Sequence, residues 1–194
     1  AAPGVDLSVA LALGPSGTSG QEDRVAQAIR WCRITQKADI VSLSLGSEPG
    51  DGMGIQSETT LAVQEALDAG IFVVAAAGNT GDDPDISDVS VPANLPGVIA
   101  VGSSTRSGSV WSNSAGGSLN NPYGDENRSY PDQKPEVTAP GVLLFSTTTI
   151  APKRTWSVGT ICATSTTLTP SIFLRRSRIF ASSSSSTRST EVAS

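Results

Sequence analysis

Histidine is absent from the 194-residue sequence, and methionine, cysteine and aromatic side chains are scarce. Without an imidazole, the chain has no histidine to act as a general base, the commonest choice in enzymes. Charged residues make up only 16% of the chain, and the formal net charge is −5. An acidic surface repels phosphate backbones, so the composition argues against nucleic acid as a partner.

Long hydrophobic runs are also missing. The longest strongly apolar stretch covers residues 71–77, whereas a membrane-spanning helix needs about 20 residues, so no membrane partner is expected. No signal-peptide pattern is visible at the start. The chain opens without methionine and runs directly into a strand-like segment, which predicts an internal fragment of a longer protein. The mild acidity fits a secreted, extracellular protein.

The two cysteines, Cys32 and Cys162, leave the redox state open. One disulfide is conceivable, but sequence spacing does not decide it. Cys32 falls on the apolar face of a predicted helix, where an unpaired buried thiol is the ordinary outcome. The sequence therefore favours two unpaired thiols.

Apolar segments of strand type alternate with amphipathic segments of helix type along the first two thirds of the chain. We predict strands over 5–13, 39–45, 71–77 and 98–101, with a further one over 142–145, and loops with short strands over 103–135. This alternation predicts an α/β fold, a three-layer parallel sheet flanked by helices.

Two helices are predicted between these strands. The first begins near a capping box of Ser19 and Glu22 and ends near Gln36, and the second begins at Ser57 and stops at Gly70. Their apolar positions repeat at helical spacing. The buried positions predicted for them are Val25, Ala28, Ile29, Cys32, Leu61, Val63, Ala66 and Leu67.

The composition changes near the end of the chain. Residues 165–194 are rich in serine, threonine and arginine and contain an unbroken serine run over 182–186. Such a segment buries little apolar surface, so we predict a folded region over 1–164 and a disordered tail over 165–194.

The ends of two predicted strands carry the strongest hint of function. Right-handed crossovers place the loops 14–20, 46–54 and 78–90 along one edge of a parallel sheet, where ligands bind. Small residues at 44–46 and 76–78 would allow a ligand close to the backbone, and an extended peptide could add as a strand. Asn79 offers a side-chain N–H to a developing oxyanion. The sequence thus predicts a cleft suited to acyl transfer.

Five segments in the same order resemble the subtilisin-like serine peptidases. They cover about residues 1–150 and read AAPGVDLSVALALG, DIVSLSLGS, GIFVVAAAGNTG, VPANLPGVIAVGSST and KPEVTAPGVLLFSTT. The resemblance implies an incomplete subtilisin-like fold and a serine-type endopeptidase acting on peptide or protein substrates. It also implies a cis bond between Val91 and Pro92.

The resemblance assigns roles to individual residues. Asn79 would donate to the oxyanion of the tetrahedral intermediate. Two triplets would form the substrate site, the first holding the substrate backbone and the second lining a pocket for a large apolar side chain. These triplets are Ser44, Leu45 and Gly46, and Ala76, Ala77 and Gly78.

The resemblance fails at the nucleophile. Where the family has Gly-Thr-Ser-Met-Ala at a helix start, this chain reads Gly-Thr-Ile-Cys-Ala, so Ile161 occupies the position of the serine. Cys162 lies one place late and lacks a histidine to accept its proton, and Ser165 lies four residues on. The family's Asp and His segments precede the part that begins here. The sequence therefore predicts an inactive chain. The break after Thr160 suggests a frame change, an altered splice or a truncated reading, which resequencing the locus would test.

Other interpretations remain open. The chain could be a non-catalytic relative that keeps the cleft and binds peptides. A nucleotide-binding domain is prompted by GPSGTSG between a strand and a helix, but the P-loop lysine is missing. No metal site is assigned, although an acidic loop could coordinate calcium, with a solvated turn as the alternative. Its carboxylates belong to Asp82, Asp83, Asp85 and Asp88.

Overall fold

A computed structural model describes residues 4–13, 23–49, 57–86, 88–123, 126–142 and 160–165 of the chain. The predicted α/β architecture is confirmed: a largely parallel sheet is flanked by helices. In chain order the elements are β1 (Val5–Ala10), α1 (Asp23–Ile34), β2 (Ile40–Leu43), α2 (Glu58–Asp68), β3 (Phe72–Ala76), β4 (Ile99–Ser104), β5 (Val137–Pro140) and β6 (Thr160–Ser165).

The described strands form one sheet in the order β1-β6-β2-β3-β4-β5. β2, β3, β4 and β5 are parallel neighbours, with Leu43 paired to Ala75 and Val101 paired to Val137. β6 runs antiparallel to both β1 and β2, so β1 points in the same direction as the parallel strands. The carboxyl ends of β2 and β3 therefore lie side by side at one edge of the sheet.

The core lies between the two helices and one face of the sheet. Val41, Leu43 and Val73 point into it from the strands, as period-two alternation requires. Of the predicted helix positions, Val25, Ala28, Ile29, Cys32, Val63 and Ala66 are buried. The prediction was wrong for Leu61, which is 43% exposed, and Leu67 is only partly buried.

Helix α2 is delimited by local chemistry. Ser57 is its N-cap, and the Ser57 hydroxyl accepts a hydrogen bond from the Thr60 N–H at 3.1 Å, satisfying one of the free donors of the first turn. Gly70 follows the C-cap with φ of 79°, a conformation that glycine adopts without strain. Both ends of this helix therefore lie where the sequence predicts them. The capping box proposed for α1 lies outside the described residues.

Salt bridges join the two helices on their outer side. Glu65 accepts from Arg30 at 2.8 Å and from Arg33 at 2.7 Å, and Glu58 accepts from Arg30 at 3.0 Å. The hydrogen bond from Arg30 lowers the pKa of Glu65, and the same contact raises the pKa of Arg30. All three bridges are partly exposed, so their contribution to stability is small.

Three strand predictions differ from the structure. β1 ends at Ala10, whereas the strand was predicted over 5–13, and Leu7, Val9 and Leu11 are exposed. β5 forms at 137–140, just after the segment expected to be loops, whereas Val142 lies in a bend and 143–145 lie outside the described residues. β6 was not predicted at all, since its segment was compared only with a helix start.

The expectation of two unpaired thiols was also wrong. Cys32 is completely buried on α1 and is disulfide-bonded. The only other cysteine of the sequence is Cys162. In the part of the chain that the structure describes, no helix is long and apolar enough to cross a membrane.

Candidate functional site

The residues predicted to form the substrate cleft lie where β2 and β3 end. Ser44 and Leu45 are half-buried after β2, and Gly46 is exposed. Among the described residues, none makes a backbone hydrogen bond to any of these three. Pairing of an added strand with these N–H and C=O groups, which the sequence predicts for residues that hold a substrate backbone, stays a prediction.

The second strand end runs beside the first. Ala77 is buried, while Ala76 and Gly78 are half-buried. The Ala77 N–H donates to the carbonyl of Val101 at 3.0 Å, which extends the β3–β4 pairing beyond β3. The structure thus brings together the two triplets that the sequence predicts for substrate binding.

Segment 88–91 joins the two strand ends, and sequence reasoning missed this contribution. Ser47 and Val91 exchange two backbone hydrogen bonds of 3.0 Å, and the Ser90 N–H donates to the Ala77 carbonyl at 2.7 Å. A Cβ added to Gly46 would lie 2.9 Å from the Cβ of Ser90, and one added to Gly78 would meet the Ser90 hydroxyl. The two glycines therefore permit the close approach of Ser90, a residue that the glycine pattern alone could not identify.

Asn79 directly follows the strand end at 76–78. The residue is exposed, and no hydrogen bond joins its side-chain amide to another described residue. It follows Gly78, whose φ of 108° turns the chain away from β3. An amide with free N–H groups at a strand end can donate to an oxyanion, which is the role predicted for Asn79.

The residues around the expected nucleophile lie in β6. Ile161 is in register with Val9 of β1 and Ser42 of β2, and the neighbouring Cys162 is in register with Val41. The segment is therefore strand, where the family resemblance implied a helix start. Ile161 is paired with Ser42, which lies two residues before Ser44. Ile161 therefore lies within the sheet and not beside the end of β2 where Ser44 lies.

The acidic loop does not assemble a metal site within the described residues. Asp82 accepts from the Asn113 side chain at 2.7 Å, and Asp83 accepts from the Asp85 N–H at 3.0 Å in a local turn. Asp88 is separate from the others, because its carboxylate is paired with Arg128 at 2.9 Å. The contacts within this loop are those of an ordinary polar turn.

The bond between Val91 and Pro92 is cis, as the resemblance implied. The arrangement as a whole places backbone groups of two strand ends and the Asn79 amide at one edge of the sheet. It offers no imidazole, because the sequence has no histidine.

Comparison with known proteins identifies the family of the chain. The profile of the subtilase family of peptidases matches residues 1–186. A thermostable alkaline protease of Halalkalibacterium halodurans is 38% identical over 148 residues, which are 76% of this chain and 34% of the relative. The major intracellular serine protease of Bacillus subtilis is 41% identical over 103 residues, which are 53% of this chain and 30% of the relative.

Among solved structures, the self-cleaved protease domain of PatA is 29% identical with a TM-score of 0.44, and the match covers 51% of this chain and 35% of that one. The chain spans about a third of the length of the curated relatives it matches. Because the family profile matches nearly the whole sequence, this chain belongs to the subtilase family.

Proposed function

We propose that this chain carries the substrate cleft and oxyanion donor of a subtilisin-like serine endopeptidase, and that it binds extended peptides without cleaving them. The observation that carries this proposal is the pair of strand ends at 44–46 and 76–78, which segment 88–91 joins through hydrogen bonds to Ser47 and Ala77. The backbone groups of 44–46 would pair with the substrate as an added strand.

The absence of hydrolysis follows from the side chains that the chemistry needs. In a Ser-His-Asp peptidase, histidine takes the proton of the serine as the serine attacks the carbonyl. This chain has no histidine, and Ile161 stands where the family resemblance places the serine. Asn79 alone could stabilise an oxyanion, but no attacking group would form one.

Two measurements test the proposal. A fluorophosphonate probe, with an active subtilisin as the positive control, should leave this chain unlabelled, and covalent labelling would contradict the predicted inactivity. A fluorescently labelled Ala-Ala-Ala-Phe amide should bind with measurable anisotropy change and remain intact, and failure to bind at millimolar protein would refute the cleft.

A matched pair of glycine variants locates the binding. Gly46→Ala places a Cβ 2.9 Å from the Ser90 Cβ, so it should displace the strand end and weaken peptide binding by about tenfold. Gly116→Ala is the control, because nothing lies within 4 Å of the added Cβ. Equal affinities for the two variants would show that the peptide binds elsewhere.

The alternative is a non-catalytic relative that keeps the cleft for peptide binding. Affinity in the low micromolar range for the intact peptide would favour this alternative, whereas much weaker binding fits an inactive endopeptidase domain. The extracellular location predicted from the composition stays a prediction, since one relative is by name an intracellular enzyme.

A further inference from the structure

We propose that Arg128 is a positioning residue of the cleft, which acts through Asp88 to hold segment 88–91 against both strand ends. The inference rests on the proposed peptide-binding function, and it adds a residue that lies outside the cleft and was not predicted from the sequence. Arg128 lies in irregular chain at 126–128, and 40 residues separate it from Asp88.

The ion pair between the two side chains is bidentate and buried. Arg128 Nη1 lies 2.9 Å from Asp88 Oδ1, and Nη2 lies 3.0 Å from Oδ2. The Arg128 side chain is completely buried, and that of Asp88 is 12% exposed. Two parallel charge-assisted hydrogen bonds define both the distance and the orientation of the partners.

Backbone contacts of the same carboxylate transmit this orientation to the chain. Asp88 Oδ1 also accepts from the N–H of Val89 at 2.9 Å and from the N–H of Ser118 at 3.3 Å. The carboxylate is thus tied to its own following peptide and to the opposite segment. Moving Arg128 would therefore move the backbone at 88–89.

The next two residues carry the contacts to the cleft. Ser90 donates to Ala77 after β3, and Val91 exchanges two hydrogen bonds with Ser47 after β2. One short segment therefore connects the ion pair at one end with both strand ends at the other. No other described backbone segment is hydrogen-bonded to both Ser47 and Ala77 in this way.

A second contact between the same segments completes the anchor. Arg128 Nη2 donates to the carbonyl of Asn94 at 2.8 Å, and the Tyr123 hydroxyl donates to the Asn94 side-chain oxygen at 2.9 Å. Burial raises the pKa of Tyr123, so its hydroxyl keeps the proton that it donates at neutral pH. Segment 88–94 is therefore anchored at both ends by residues of 118–128.

The energetics of buried ion pairs favour a geometric role over a purely stabilising one. Such pairs contribute little net stability compared with an apolar replacement, because both charges lose their hydration. Their hydrogen-bond geometry is nevertheless narrow, particularly for a guanidinium with a carboxylate. Through the hydrogen bonds of Asp88, Ser90 and Val91, the geometry of the ion pair sets the spacing between the two strand ends.

Substitution of Arg128 tests the inference through two measurements that a general loss of stability would leave unchanged. The first is the ratio of affinities for Ala-Ala-Ala-Phe amide and Ala-Ala-Ala-Ala amide, because an unfolded fraction weakens both equally. The second is amide hydrogen exchange of Ser47 and Val91, compared with exchange of Val63 in the core. Arg106→Met is the control, because Arg106 is exposed.

For Arg128→Met we expect the affinity ratio to fall about tenfold and exchange at Ser47 and Val91 to rise at least tenfold, with Val63 unchanged. Arg128→Lys keeps the charge but cannot make the two parallel contacts, so it should show the same changes to a smaller extent. If Arg128→Met does not fold, the lysine variant alone decides.

An unchanged affinity ratio together with unchanged exchange at Ser47 and Val91 in the folded lysine variant would overturn the inference. If the wild-type chain binds neither peptide, the proposed function fails, but the exchange experiment still decides whether Arg128 positions the strand ends. The two failures are therefore distinguishable.

Discussion

Replacing Gly78 with alanine tests whether the strand ends close on Ser90. Gly78 has φ of 108°, and a Cβ there would meet the Ser90 hydroxyl and lie 3.2 Å from the Ser90 Cβ. The backbone conformation costs an alanine about 1–3 kcal/mol, and overpacking against Ser90 adds about 1–3 kcal/mol. We therefore expect the free energy of unfolding in urea to fall by about 2–6 kcal/mol for Gly78→Ala.

A double-mutant cycle separates the two contributions. Ser90→Ala removes the hydroxyl that the new Cβ would meet, but it leaves the φ of residue 78 unchanged. In the Gly78→Ala, Ser90→Ala double variant we expect recovery of about 1–3 kcal/mol relative to the sum of the single changes. Additive effects of the two substitutions would refute the contact between Gly78 and Ser90.

Gly70 supplies the matched control for backbone strain. Its φ is 79°, and nothing lies within 4 Å of an added Cβ. Gly70→Ala should therefore lose only the conformational contribution, about 1–2 kcal/mol. If Gly70→Ala destabilises the chain as much as Gly78→Ala does, packing against Ser90 contributes nothing and the description of the cleft is wrong.

Two further predictions concern charge. The Lys134 side chain is fully buried and lies 2.5 Å from Glu136, so Lys134→Met should lower the free energy of unfolding by about 3–5 kcal/mol. Adding Glu136→Gln should restore part of that loss in urea unfolding, because Asp132, 3.1 Å from the Lys134 ammonium, still loses its partner. No recovery at all would contradict a buried charge pair. The hydrogen bond from Arg30 lowers the pKa of Glu65 in the folded chain. The contribution of Glu65 to the free energy of unfolding is therefore fully present above the ordinary carboxyl pKa of about 4.3, and it is lost as the pH falls through the lower folded value. Glu65→Gln should therefore destabilise by less than about 1 kcal/mol at pH 7 and by less still near pH 3, and a pH-independent difference would contradict this assignment.

The elements that the sequence predicts well are those with a strong local pattern. Val41 and Leu43 alternate with serines, and residues 71–77 are apolar throughout, so β2 and β3 could be identified from period and length. Helix α2 was delimited by Ser57 and Gly70, whose roles are local. Such signals do not depend on the rest of the fold.

The features that were not predicted depend on contacts between residues that lie far apart in the sequence. Leu61 was expected in the core, but α2 instead buries Thr59, Thr60, Ala62, Val63 and Ala66. Its rotation is set by docking against α1 and β3, where small side chains allow a close approach. β6 and the disulfide of Cys32 likewise depend on segments that meet only in three dimensions. The same holds for the pairing of Asp88 with Arg128, whose spacing carries no local signal.

In the proposed function, binding and chemistry depend on different parts of this chain, and this separation explains how much of the site could be predicted. The proposed cleft uses backbone groups at two strand ends, and its requirements are small residues and correct crossovers, both of which the sequence displays. Hydrolysis depends on a histidine and a serine at defined positions, and a single composition count excludes the first. Substitutions such as Gly46→Ala should therefore weaken peptide binding, whereas no single substitution should restore cleavage, because the base and the nucleophile are both missing.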